Sequence, residues 1–203
     1  MAPKVPKEYL EARRKQILDA AWKSFSEKGF NNATMKDIFE ASQLSPGAVY
    51  NYFTGKDDIV EAFIKISTKR NLNMITSAAS DPDDPLGEVM ETYLSWIKNL
   101  SEQPEFVKYA ALDLELFAEA GRNERIAGSQ RKNFETNLGT VVELVKGRQK
   151  AGQINKKLNP RSVAQVLFAL IQGIEILITI YPDMDIDGYI EVCRAVIKSK
   201  FSK

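Results

Sequence analysis

Residues 34–56 read TMKDIFEASQLSPGAVYNYFTGK, and their punctuation spells two short helices with almost nothing between them. Thr34 is a good N-cap, and Asp37 three residues on makes an acidic version of the capping box. Ile38 and Phe39 supply the apolar side of a first helix that should end near Ser42. Only Gln43 and Leu44 intervene before a second start signal. Ser45 can cap the next helix, and Pro46 suits its first position, where the missing N–H is no loss. In that second helix Val49 and Phe53 lie four apart on one inward face. Gly47, Ala48, Tyr50, Asn51 and Tyr52 are left to the outward face and its flanks.

That outward face carries no charge, two phenols, one amide and two very small residues. A surface helix with no other task normally carries Lys and Glu. Small residues let a backbone come close to something large, Asn can pair bidentately with adenine in the major groove, and tyrosine hydroxyls can bind phosphates. A helix–turn–helix uses its second helix in this way. The plain alternative is an αα-hairpin with exposed aromatics.

Helix one (RRKQILDAAWKSFSEKGF), then T-M-K-D-I, then L-S-P-G-A-V-Y-N-Y-F-x-x-K-D resemble, in order and without gaps from Arg13 to Ile59, the DNA-binding domain of TetR-family transcriptional regulators. Phe39, Ser42 and Gln43 depart from the family pattern, standing where Ala, Ala and often Gly are usual. If the turn needs φ > 0 at Gln43, a non-Gly residue there costs on the order of 1 kcal/mol. The resemblance implies a dimeric, ligand-responsive repressor whose DNA-binding residues are Thr34, Ser45, Pro46, Gly47, Ala48, Tyr50, Asn51, Tyr52 and Lys56. The partners are then a palindromic double-stranded operator, a second copy of the chain and a small-molecule effector. A rival from another class is a helical scaffold or protein-interaction module whose head does not bind DNA.

Outward from that stretch, everything reads helical, so the expected fold is all-α with about nine helices. A three-helix head, residues 1–56, should precede a larger ligand-binding and dimerisation body, residues 57–203. Ile17, Ala21 and Phe25 make the inner stripe of the first helix, with Leu18 and Trp22 beside it, and Gly29 ends it. A long fourth helix should run from Lys56 to about Ala79 through Ile59, Phe63, Ile66 and Met74. The DPDDP cluster at 81–85 is the clearest break. Further helices are expected at about 86–100, 105–120 and 124–151. Residues 1–56 hold nine Lys and Arg against six Asp and Glu, while the whole chain is only +1; a mildly basic head on an acidic body fits a DNA-facing end. Lys4, Lys7, Arg13, Arg14 and Lys15 crowd the entry to the first helix, where they oppose its dipole unless phosphates lie near.

From Pro160 to Ile180 the apolar positions cover roughly 220° of a helix drawn at 100° per residue, and one core-facing stripe needs only about 100°. Two faces should therefore be buried, one of them against a second copy. The expected interface is Val163, Leu167, Leu170, Ile174 and Leu177, with Val192 and Val196 of the last helix and Gly173 allowing close approach. Gln165, Gln172 and Glu175 interrupt the run, so a core helix is expected rather than a membrane span. Tyr93, Trp96, Phe106, Tyr109, Phe117, Phe134 and Phe168 are candidates to line a ligand pocket, with Glu175 to hold a polar or cationic group.

The chain has no histidine and one cysteine, Cys193. That removes Ser-His-Asp and Cys-His nucleophile systems, the commonest zinc ligand and any intrachain disulfide. No enzyme activity, cofactor, metal or membrane partner is expected, and the first residues lack a signal peptide's apolar core, so a cytoplasmic location is expected.

Overall fold

The structure, a computed structural model, describes residues 6–78, 85–103 and 105–200; the side chains of 78, 85–90, 109, 175 and 197–200 are outside that description. The described residues form nine helices and no strand: α1 Lys7–Lys28, α2 Met35–Ser42, α3 Pro46–Tyr50, α4 Lys56–Ala78, α5 Pro85–Ser101, α6 Phe106–Ala120, α7 Glu124–Lys150, α8 Pro160–Ile180 and α9 Ile186–Lys200. Lys4 and residues 81–84 of the Pro/Asp cluster lie outside the described residues, but α5 opens at its last proline, Pro85.

Local chemistry sets the ends. The Thr34 hydroxyl accepts from the Asp37 N–H, and the Asp37 carboxylate accepts in return from the Thr34 N–H, closing the capping box. Gly29 ends α1 at φ 76°, with its N–H donating to the Phe25 carbonyl at 2.8 Å. Asn159 accepts from the N–H groups of Arg161 and Ser162 to start α8, with Pro160 just behind it. Gln149, nearly buried, donates to the carbonyls of Asn155 and Leu158 and so satisfies the turn between α7 and α8.

Two compact units emerge, Met1–Lys65 with Leu112–Gln130, and Ile66–Ala111 with Arg131–Lys203. The first is built on Ile17, Phe25, Ile38, Val49, Phe53 and Ile59, and Leu112, Leu116 and Ile126 pack into the same cluster. It is therefore larger than the head of residues 1–56 expected from the sequence, because the end of α6 and the start of α7 belong to its core. The second unit centres on Ile75, Leu94, Ile97, Leu138, Val145, Leu167 and Ile174. Cys193 is buried in that cluster.

α8 is long and apolar enough to cross a membrane by length and composition, the one such helix among the described residues. Its residues Val163, Ala164, Leu167, Ile171, Ile174 and Ile178 are instead core of the second unit. Ile66, expected on the inner stripe of α4, is 51% exposed. The stripe turns away there because α4 leaves one unit's core and joins the next at Ile75.

Gln43 is the one non-glycine residue with positive φ among the described residues, at φ 56° and ψ 30°. Its neighbours fix that geometry: the Leu44 N–H donates to the Phe39 carbonyl, and Gln16 donates to the Ser42 carbonyl at 2.6 Å. Gln43→Gly should match or exceed the parent's stability by up to about 1 kcal/mol, whereas Gln43→Val should lose more than about 1 kcal/mol. Urea unfolding of the three proteins checks the order.

Candidate nucleic-acid interface and ligand groove

α3 has five residues, shorter than the sequence suggests, and ends at Tyr50. Its inner contact is Val49, fully buried, with Phe53 following at 2% exposure. The Ser45 hydroxyl accepts from the Ala48 N–H at 3.2 Å and starts the helix. Behind it Thr54 donates through both its N–H and its hydroxyl to Asp58 near the start of α4. Those two donors, then the guanidinium of Arg125, hold the Asp58 carboxyl down from its ordinary 3.8 to about 2. Arg125 also pairs with Glu61 at 2.8 Å and holds its carboxyl below the usual range.

The expected DNA-facing residues differ in exposure and in how far they are engaged within the chain. Ser45, Pro46, Gly47, Tyr50 and Asn51 are exposed, while Ala48 and Tyr52 are half-buried. Tyr50 rests edge-on against Phe39 with ring centroids 5.4 Å apart, which is what the phenyl at position 39 does. Ser42, buried, donates to the Phe39 carbonyl. The Thr34 hydroxyl is spent on its own capping box. Lys56 differs most from expectation. Its ammonium donates to the Phe30 carbonyl at 2.8 Å and sits over the Phe30 ring, so it first holds the α1–α2 turn. Arg14 lies over Phe53 and Arg13 bonds Tyr9 and Gln16, so the cations of α1 are partly tied to the head itself.

Gly47 stands in open space. A Cβ placed there would meet nothing within 4 Å, and its φ is not in the left-handed region. Neither packing nor backbone geometry inside this chain requires a glycine in the first turn of α3. Gly costs a helix about 1 kcal/mol relative to Ala, and Gly128, Gly139 and Gly147 inside α7 are as open as Gly47.

Residues 17–63 match the model for bacterial regulatory proteins of the tetR family. Residues 95–202, over half of the chain, match the model for the C-terminal part of the BetI-type transcriptional repressor. The chain belongs to the TetR family. It is a helix–turn–helix transcriptional regulator and not an enzyme. The HTH-type transcriptional regulator UidR of Escherichia coli K12 is 28% identical to this TetR-family chain over 161 residues, 79% of each protein. GusR of Salmonella enterica shares its fold at a TM-score of 0.76 and 23% identity, covering 98% of this chain and 99% of that one. SmeT of Stenotrophomonas maltophilia, in a complex with triclosan, does so at 0.81 and 20%, covering 95% and 92%.

Four of the seven aromatic residues expected to line one pocket share one apolar cluster in the second unit. Tyr93 and Phe106 are core of the second unit, Trp96 packs on that core half-buried, and Phe134 leans on Phe168 with centroids 5.6 Å apart. Phe117 belongs to the first unit and is 48% exposed. The side chains of Tyr109 and Glu175 lie outside the described residues. What the second unit does carry is an open groove of about 710 Å³ lined by Ile66, Lys69, Arg70, Asn73, Met74, Ser77 and Thr92. The sequence signal for it was the spacing 66, 70, 73, 77 on one face of α4, polar except at its start. Among the described residues no cluster of three His, Cys, Asp or Glu is placed to hold a metal.

The expected dimer residues need a correction. Val163, Leu167 and Ile174 are 3%, 1% and 0% exposed, buried in the protomer's own core, and cannot meet a partner. Leu170, Leu177 and Val196 are half-buried and Val192 is 62% exposed. The uncovered apolar side of α8 runs instead through Val166, Ala169, Leu170, Ile176, Leu177 and Ile180. Gly173 is used internally: a Cβ there would lie 2.9 Å from the Tyr189 hydroxyl, which donates to the Leu170 carbonyl.

Two outcomes follow from this geometry. Gly47→Leu should unfold no more easily than the parent yet lose DNA affinity at least about tenfold, the outcome expected if α3 docks on a duplex through its open first turn; melting curves and gel shifts measure the two. Asp58, whose carboxyl is lowered on folding, adds stability that is full above about pH 4 and is lost as pH falls toward about 2. Asp58→Asn should therefore flatten the stability curve across that window, read from urea midpoints.

Proposed function

We propose that this regulator is a homodimeric repressor of a palindromic operator, released by a small molecule bound in the second unit. The observation that carries the DNA half is the uncharged, glycine-opened face of α3, with Asn51 at its end able to pair bidentately with adenine. The operator is double-stranded DNA, and a protein acting on it in bacteria works in the cytoplasm.

The dimer is supported by the apolar side of α8 left uncovered in the protomer, with Val192 of α9 also exposed. Two such helices and their symmetry mates make a four-helix interface. Release is supported by the groove on α4, the same helix whose beginning is pinned to the reading head through Asp58. A second head engages at high effective concentration only if the spacing of the two heads matches the half-sites. An effector that lowers operator affinity about 100-fold must prefer the mismatched state by roughly 2.7 kcal/mol, and the operator must weaken effector binding by the same factor.

Ile174 and Ile176 separate the two faces of α8. Ile176→Arg, at a position 44% exposed in the protomer, should leave a folded monomer that binds operator weakly. Ile174→Arg, at a fully buried position, should instead fail to fold. Sedimentation, circular dichroism and gel shift on the two variants test this. A dimer that persists in Ile176→Arg contradicts the proposed interface.

A further inference from the structure

We propose that Arg14, at the head of the inner stripe of α1, holds a backbone phosphate of the duplex beside the end of α3. The proposal rests on reading α3 as the DNA-facing helix and adds to it a contact from a different element.

Helical spacing sets Arg14 three residues before Ile17, on the stripe that continues through the buried Ala21 and Phe25. An apolar side chain suits that position by period. A guanidinium suits it too, because it has a flat face that covers apolar surface and an edge that donates hydrogen bonds. Arg14 is half-buried and lies over the Phe53 ring, 4.8 Å from its centroid. Phe53 is 2% exposed and stands just two residues after the exposed Asn51, so the guanidinium borders the end of α3. Stacked by its face, it keeps its N–H edge for in-plane acceptors such as phosphate oxygens.

The neighbouring cations are spent within the first unit. Lys7 pairs with Glu11 at 3.5 Å, Lys15 with Asp19 at 2.6 Å, and Lys28 with Asp37 at 2.6 Å. Arg13 donates to Tyr9 and Gln16, and Lys56 to the Phe30 carbonyl. Arg14 has no hydrogen-bond or carboxylate partner among the described residues, and the Phe53 ring is what its charge meets. The exposed Lys23 also lacks an acidic partner, but at 3.6 residues per turn it falls on the opposite side of α1 from Arg14. A phosphate contact fixes register and orientation without reading sequence. Arg14 would thus anchor the end of α3 while Asn51 meets a base.

The test measures binding of the full chain by fluorescence anisotropy over a salt series. Its probes are the symmetric duplex recovered by selection and a scrambled duplex of equal length. Arg14→Gln should weaken both at least about tenfold and make the log–log salt dependence shallower by about 2 in the dimer, one phosphate lost per head. Arg14→Met keeps a long side chain over Phe53 without the charge and should lose as much, whereas Arg14→Lys should retain most of the slope. Lys23→Gln removes the same charge from the other side of α1 and should leave the slope unchanged. Urea midpoints read the stability of each variant separately. A neutral methylphosphonate link scanned along the duplex needs no variant. One link per half-site should weaken the parent at least about tenfold and matter little to Arg14→Met. Parent-like affinity and slope in Arg14→Met, an equal effect from Lys23→Gln, or a parent indifferent to every neutral link overturns the proposal. If the parent selects no sequence at all, the reading of α3 falls with it. If the parent selects a sequence and Arg14→Met binds it as tightly, Arg14 merely covers Phe53 and the reading of α3 stands.

Discussion

A five-residue helix does not hold itself together in water, because nucleating a turn fixes several dihedrals for one hydrogen bond. α3 exists in this chain because Val49 and Phe53 are taken into a core made by other elements. The reading surface is therefore imposed from behind. Ser45 starts α3, Gln43 in the left-handed region turns the chain into it, and Asp58 catches Thr54 just after it. Of the outward residues, Pro46, Gly47 and Asn51 are exposed, while Ser45 caps α3 and Tyr50 rests on Phe39.

The same dependence extends beyond the first four helices. Glu115 of α6 accepts the Phe30 N–H at 2.6 Å and stands over Gly29, where a Cβ would lie 3.1 Å from its oxygen. Asn123 caps α7 through its side-chain oxygen while donating to Asp57, and Arg125 pairs with Asp58 and Glu61. With Leu112, Leu116 and Ile126 in the core, the corner between α6 and α7 is part of what orients α3. α4, α6 and α7 each contribute residues to both units.

Much of this was legible beforehand, for reasons that can be named residue by residue. Caps and breakers act locally, so Thr34, Ser45, Pro46, Gly29 and Pro160 placed helix ends from sequence alone. The inner stripe of α1 and the pairing of Val49 with Phe53 followed from period. What sequence could not show was which of two apolar faces of α8 turns inward. An arc of more than 200° gives no preference by itself, and the choice of Val163, Leu167 and Ile174 for the partner fell on the protomer's own core. Lys56 is expected among the DNA-binding residues, and its contact with the Phe30 carbonyl, 26 residues away, leaves no local trace in the sequence. Aromatic character marks core and pocket alike, so sequence alone does not assign Tyr93, Trp96, Phe106 and Phe168, which share one cluster, to a cavity. The groove on α4, built from polar residues at helical spacing, looked like an ordinary solvated face.

The central claim, that α3 reads double-stranded DNA as one of a symmetric pair, is most directly measured by selection. Purified protein would be incubated with a pool of random duplexes, and bound molecules amplified and sequenced over several rounds at moderate salt. The account expects one two-fold symmetric sequence to emerge, its half-sites centred a helical turn or more apart. Recovery of a pool no different from the input, or of a single unpaired half-site, would contradict it.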